Sequence, residues 1–303
     1  MRKKSVRANL ILLVTAVIWG GGFVAQRLGM QQMGPYIFNG FRFLIGAITL
    51  IPVIFFRRGT GIFQPGNLKK TLLVGSVASL FLFFGATFQQ LGLVSTTAGK
   101  AGFITGLYVV IVPILDTLWG DRGSVYTWLG AVFALFGLYL LSATSGLIIG
   151  QGDGLVLIGA FFWALHVQFI ARYSPDVDAF QLSFVQSIVT SLISFGVGFF
   201  LEDVVFDQIR SAALPILYGG VISIGIAYTL QVIGQRYAKP APAAIILSLE
   251  SVFAVFWGWL ILNEVLTTKI LLGSSLMLAG MMVSQVKQKE PVENIENSVN
   301  QNT

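Results

Sequence analysis

A chain of 303 residues would normally suggest two soluble domains, but 55% hydrophobic and 11% charged residues, with a mean hydropathy of +0.81, place it among membrane proteins instead. The absence of cysteine excludes disulfides, thiolate metal sites and a cysteine nucleophile. The net charge of +6 would suit nucleic acid if it were clustered on one face, so the placement of the cations decides what it means.

Ten apolar runs approach the roughly 20 helical residues needed to cross a hydrocarbon core of about 30 Å. In chain order they span Ala8 to Gly29, Tyr36 to Phe56, Thr71 to Gly92, Ser95 to Trp119 and Val125 to Ala143, then Gly154 to Arg172, Ala179 to Leu201, Ala212 to Tyr237, Ala241 to Leu262 and Thr268 to Val286. Pro52, Pro113, Pro215 and Pro242 fall within or at the ends of these runs, where kinked or late-starting helices are expected. Met1 to Arg7 ahead of the first run could also open a signal peptide, but removing that helix would leave the one around Trp163 without a counterpart. The acidic, Asn-rich stretch 288–303 reads as a disordered tail.

Lys and Arg crowd alternate connections: Arg2, Lys3, Lys4, Arg7, Arg57, Arg58, Lys69, Lys70, Arg122, Arg172, Arg236, Lys239, Lys287 and Lys289 share one side. Only Arg27, Arg210 and Lys269 fall on the other. The positive-inside rule then predicts a multi-pass protein of the cell (inner) membrane with both termini cytoplasmic, and the net charge is a topology signal with no call for nucleic acid.

The chain also repeats itself. Gln89-x-x-Gly92 returns as Gln231-x-x-Gly234, and Gly106-Leu107-Tyr108 lies 142 positions before Ser248-Leu249-Glu250. Trp19 answers Trp163 in the first helix of each half, and Gly130-x6-Gly137 answers Gly273-x6-Gly280 in the fifth. Five helices per half force the second copy to enter the membrane from the opposite side. The expected architecture is an all-α integral membrane protein of ten transmembrane helices in two inverted five-helix repeats, 8–145 and 150–287, between an N-terminal segment 1–7 and the tail. Such repeats suit alternating access around a site near the midplane.

Glu250 lies about 13 Å into a core of about 30 Å if helix 9 starts at Ala241. A charge there costs on the order of 2.5 to 3.5 kcal/mol, and a carboxyl is too short to snorkel, so it should face a cavity or a partner, or be protonated. Packing through a hydrogen bond is the plainer reading, and proton coupling the sharper one. His166, the one histidine, is also central and could contact substrate, relay a proton or bond a carbonyl. Metal binding is not expected, because no second ligand stands at helical spacing.

Lys100 could snorkel to the interface or offer a counter-charge to a carboxylate substrate. Arg42 has similar depth on helix 2. Trp19 and Trp163 sit too deep for an aromatic belt, which leaves core packing or a cavity wall. Thr97, Ala101, Thr105 and Tyr108 on helix 4, and Tyr228, Gln231 and Gln235 on helix 8, make mixed faces that suit an amphipathic small molecule. Gly130, Ala134 and Gly137, with Gly273 and Gly280, suit close helix packing or a homodimer contact through helices 5 and 10.

Several of these residues resemble a known family. Trp-Gly of helix 1, Phe-Arg-Phe of helix 2, Ala-x-Phe-Ile-Thr-Gly-Leu-Tyr-Val-Val-x-Val-Pro of helix 4, and Ser-Leu-Glu-Ser-Val-Phe-Ala with Leu-Asn-Glu264 look like the EamA branch of the drug/metabolite transporter superfamily, over about Asn9 to Val286. The resemblance implies inverted five-helix halves, a cavity ringed by helices 1, 3, 4, 6, 8 and 9, and transport of amino acids, other metabolites or drugs. It also makes Arg42, on a peripheral helix, a structural residue. Where the pattern often has Glu-Pro in helix 9, this chain has Glu250-Ser251 and so lacks the proline that would kink it.

The function expected is therefore a secondary transporter, an exporter of small metabolites such as amino acids, working by alternating access with proton coupling at Glu250 and His166. Its substrate would meet Trp19, Tyr108, Trp163, His166, Tyr228, Gln231, Glu250 and Lys100. A membrane-embedded lipid-modifying enzyme would need clustered acid and base groups or a metal, for which this composition offers little. A passive channel is the remaining alternative. ATP-driven pumping lacks its P-loop motif, and no cofactor is expected.

Overall fold

A computed structural model describes residues 2–58, 68–96, 98–120, 123–142, 150–262 and 265–286. The expected tail, Thr97, Glu264 and the side chain of Lys100 lie outside the described residues. Within them the chain forms ten apolar crossings, eight long and two shorter. They are α1 (Arg2–Met30), α2 (Pro35–Arg58), α3 (Leu68–Ser95), α4 (Ala98–Gly106 and Tyr108–Leu118), α5 (Val125–Ser142), α6 (Gln151–Tyr173) and α7 (Ala179–Leu201). The last three are α8 (Ala213–Leu217, a π-helical stretch Tyr218–Tyr228, and Thr229–Gln235), α9 (Pro240–Leu247 and Glu250–Leu262) and α10 (Thr268–Ser284).

The helices pack in matched pairs. α5 lies on α10 and α2 on α7, while α1 on α8 answers α6 on α3, and α1 on α9 answers α6 on α4. Each contact thus returns when both helix numbers move by five. Asn9 Nδ2 donates to Gln285 Oε1 at 2.8 Å, so the start of α1 and the end of α10 emerge on one side. Lys70 and Asp176, 3.0 Å apart, mark the same side at the start of α3 and the turn after α6. On the other side the Glu202 carboxylate accepts from the backbone N–H groups of Tyr36 and Ile37 at 3.0 and 2.8 Å. Both N–H groups belong to the unpaired first turn of α2, where a carboxylate is also favoured by the helix dipole.

Glycine sets how closely α5 and α10 approach. A Cβ at Gly130 would lie 2.6 Å from the Gly280 carbonyl oxygen, and one at Gly137 would lie 2.6 Å from that of Gly273. All four glycines are buried inside the chain by this contact. The glycine stripe is filled by the chain's own partner helix, while the far sides of α5 and α10 carry exposed Phe133, Phe136, Leu271 and Leu272.

Two helices break near their middles. In α4 the Leu107 N–H turns tightly to the Ile104 carbonyl at 3.2 Å, just after Gly106. In α9 the Leu249 N–H does the same to Ile246 at 3.2 Å, and Ser251 N–H bonds Ser248 O at 3.1 Å. The missing proline therefore does not keep α9 straight. Ser251 keeps its backbone donor, and its hydroxyl reaches across to the Gly102 carbonyl on α4 at 2.8 Å, tying one broken helix to the other.

Candidate functional site

The two breaks deliver Tyr108 and Glu250, the first residues of the resumed helices, into one central cavity. It encloses about 510 Å³ of atom-free space, part of it open to the surroundings. Its walls come from α1 (Trp19, Phe23, Gln26), α2 (Arg42) and α3 (Gln89), and from residues of α4, α6, α8 and α9 described below.

Tyr228 forms the aromatic centre. Its ring lies 4.7 Å from that of Trp19 and 6.1 Å from that of Trp163, centroid to centroid, so the two equivalent tryptophans flank one tyrosine. Both indoles are anchored: Trp163 Nε1 donates to Gln89 Oε1 at 2.8 Å and Trp19 Nε1 to the Ser223 carbonyl at 3.4 Å. Gln89 Nε2 in turn donates to Gln26 Oε1 at 3.2 Å, joining α1, α3 and α6 at the cavity wall. Such bonds fix ring positions that packing alone would leave to rotamer choice. Gly85 leaves room for the Trp163 ring, since a Cβ there would stand 3.1 Å from it.

Tyr108 and Glu250 lie within electrostatic reach of each other, yet the Tyr108 hydroxyl closes no hydrogen bond of ordinary geometry. Gln231 also lines the cavity, with its Oε1 unpartnered. Unsatisfied polar atoms around an empty space are what a ligand or water would complete.

At the end where α9 begins, the cavity meets a seal. Leu12, Val112, Ala164, Val167, Ala244 and Leu247 pack together there, all almost inaccessible. Polar bonds back it: Gln168 Nε2 donates to Val112 O at 3.0 Å and to Asp116 Oδ1 at 2.7 Å, and Gln235 Nε2 donates to Val167 O at 3.0 Å.

Of the residues anticipated for substrate, Trp19, Tyr108, Trp163, Tyr228, Gln231 and Glu250 line the cavity. His166 does not. It is fully buried behind the wall, facing Gln186 of α7 with Nε2 to Oε1 at 3.1 Å, and meets Trp163 and Tyr228 edge-on. α6 turns His166 towards α7 and Trp163 towards the space. Gln235, on the polar face read for α8, is used in the seal. The resemblance makes Arg42 a structural residue on a peripheral helix, and the structure places it elsewhere. Arg42 is 3% exposed and lines the cavity, so α2 is not merely peripheral. Gly220 and Gly225 of α8, which nest against Ile45 and Thr49, bring α2 this close.

Among the described residues no cluster of His, Cys, Asp and Glu could hold a metal ion. Ten apolar crossings around a polar and aromatic cavity define a multi-pass membrane transporter. The sequence profile of the EamA-like transporter family matches twice, over residues 6–143 and 150–285, and the chain belongs to that family. An uncharacterized transporter of Archaeoglobus fulgidus is 33% identical over 94% of this chain and 87% of its own length. The uncharacterized transporter YoaV of Bacillus subtilis is 24% identical over 92% and 97%. One solved crystal structure superposes with a TM-score of 0.77 over 92% of this chain and 98% of its own, at 19% identity, and supports the fold.

Proposed function

We propose that the chain is a secondary transporter that exports small zwitterionic metabolites, amino acids foremost, by alternating access. The two halves are inverted repeats, and the cavity between them is the substrate site. The observation that carries this reading is the pair of equivalent helix breaks, at Leu107 and Leu249, which aim Tyr108 and Glu250 into the same space. Mid-membrane breaks at a repeat interface are how carriers expose polar groups to a ligand without exposing backbone to lipid.

The seal around Leu12, Val167 and Leu247 acts as one gate. By the distribution of Lys and Arg this gate faces the cytoplasm, with both termini beside it. Opening it requires parting the Gln168 and Gln235 bonds while the opposite end closes. Glu250 is the coupling group, occupied in turn by a proton and by the positive end of the substrate.

Counterflow tests this reading. Purified protein in liposomes preloaded with an unlabelled amino acid should take up the labelled one faster than empty vesicles do. Uptake indifferent to the compound inside would mark a channel and end the carrier reading.

A further inference from the structure

Arg42 enters the membrane seven residues after Pro35, roughly 10 Å along α2. Its guanidinium carbon lies 5.6 Å from the centroid of Phe38 and 5.3 Å from that of Phe43. These rings hold the group in place and offset part of its charge. Among the described residues no ion pair joins Arg42 to a carboxylate, and its Nε has no hydrogen-bond partner. A guanidinium stays charged at any working pH, so this is a cation taken out of water with no protein counter-ion.

The group lines the same cavity as Glu250. Tyr228 is within electrostatic reach of both. One cavity thus presents a guanidinium and a carboxyl group, with the Trp19, Tyr228 and Trp163 rings in the same wall. A guanidinium and a carboxyl group that share one cavity without an ion pair between them can be bridged by a third body that carries both signs.

We propose that Arg42 is the seat of the substrate's carboxylate, with Glu250 receiving its ammonium group and the aromatic wall receiving its apolar side chain. The planar fork of a guanidinium matches a carboxylate through two parallel N–H donors. Arg42 is the one cation among the described lining residues, which suits a singly charged carboxylate better than a phosphate. The assignment rests on the carrier reading above, and adds to it that the anionic end of the substrate is obligatory and is read by α2.

Three probes of one shape separate the parts: L-phenylalanine, 2-phenylethylamine without the carboxylate, and 3-phenylpropanoate without the ammonium. Binding of each is measured by thermal shift and calorimetry on the full chain in detergent, for wild type, Arg42→Gln, Arg42→Lys and Glu250→Gln. Arg42→Gln should weaken phenylalanine and phenylpropanoate by about tenfold or more, the size of one lost charge-assisted contact, and leave the amine within about twofold. Glu250→Gln should weaken the amine and spare phenylpropanoate. Arg42→Lys should recover part of the loss. Because Arg42→Gln removes an unpaired buried charge, its melting temperature without ligand should not fall.

Equal weakening of all three probes by Arg42→Gln, together with a lowered melting temperature, would make Arg42 structural and overturn the assignment. Unchanged binding of all three would do the same while leaving the carrier reading in place. If wild type binds none of the three yet shows counterflow with another solute, both this assignment and the amino-acid substrate class fail, but the carrier does not.

Discussion

Gly20 stands next to Trp19 where α1 crosses the second half of α9. A Cβ added there would lie 2.5 Å from Phe253 Cβ, 2.6 Å from Phe253 C and 2.7 Å from the Ala254 nitrogen. Two of these are backbone atoms, so no side chain can rotate away. Restoring a carbon contact of about 3.5 Å requires α1 and α9 to part by about 1 Å. Overpacking of this kind costs about 1 to 3 kcal/mol. The same displacement carries Trp19 away from Tyr228, and a misplacement of about 1 Å can cost about a hundredfold in rate where geometry matters.

Gly196, on α7, has nothing within 4 Å of its virtual Cβ and serves as the control. Gly196→Ala should match or exceed wild type in stability by up to about 1 kcal/mol, from helix propensity alone. Gly20→Ala should lower the melting temperature in detergent and slow amino-acid counterflow in liposomes by at least about tenfold. Gly22 makes a useful intermediate, because its virtual Cβ meets only Ser223 Oγ at 3.6 Å and Gln26 Nε2 at 3.8 Å. If Gly20→Ala behaved like Gly196→Ala in both assays, the close approach of α1 and α9 and the anchoring of Trp19 by it would be refuted.

Glu250→Gln keeps the shape of the side chain but cannot cycle a proton. With one proton exchanged per substrate, a gradient of one pH unit supports about tenfold accumulation, equal to about 1.36 kcal/mol. The variant should show none in a vesicle uptake assay, and its counterflow should need more substrate. Accumulation with wild-type pH dependence would dismiss Glu250 as the coupling group. Gln168→Leu removes two seal bonds, of 3.0 and 2.7 Å. Since the chain lacks cysteine, a single Leu12→Cys reports on the gate, and a water-soluble maleimide should label it about tenfold faster in the Gln168→Leu background. Equal labelling rates would mean those bonds do not hold the gate. Protease-sensitive tags at the two termini should both be protected in intact cells, and cleavage of either would overturn the proposed orientation.

The crossings were readable because hydrocarbon length and backbone hydrogen bonding leave few alternatives to a long apolar helix. Depth was readable too, which is why Glu250, Trp19 and Trp163 stood out. Azimuth was not. A helix apolar all round gives no sign of which side faces inward, so His166 and Trp163, three residues apart, could not be told apart as buried support and cavity wall. Arg42 was misplaced for a related reason. Its access depends on α2 sinking against Gly220 and Gly225 of a helix far away in sequence. The break in α9 carries no Glu-Pro signal in the sequence. Tight turns at Leu107 and Leu249 with Ser251 bonding to Gly102 achieve it by hydrogen bonds that only the assembled pair of helices supplies.

The π-helical stretch Tyr218–Tyr228 has no counterpart in α3, which is regular α-helix across the equivalent residues. A mirror-like pair of halves would make the two end states of a carrier equal in energy, with forward and backward half-cycles running at the same pace. Widening one arm alone removes that degeneracy. In the proposed carrier the unloaded protein would rest preferentially on one face, with its inward and outward steps running at different rates.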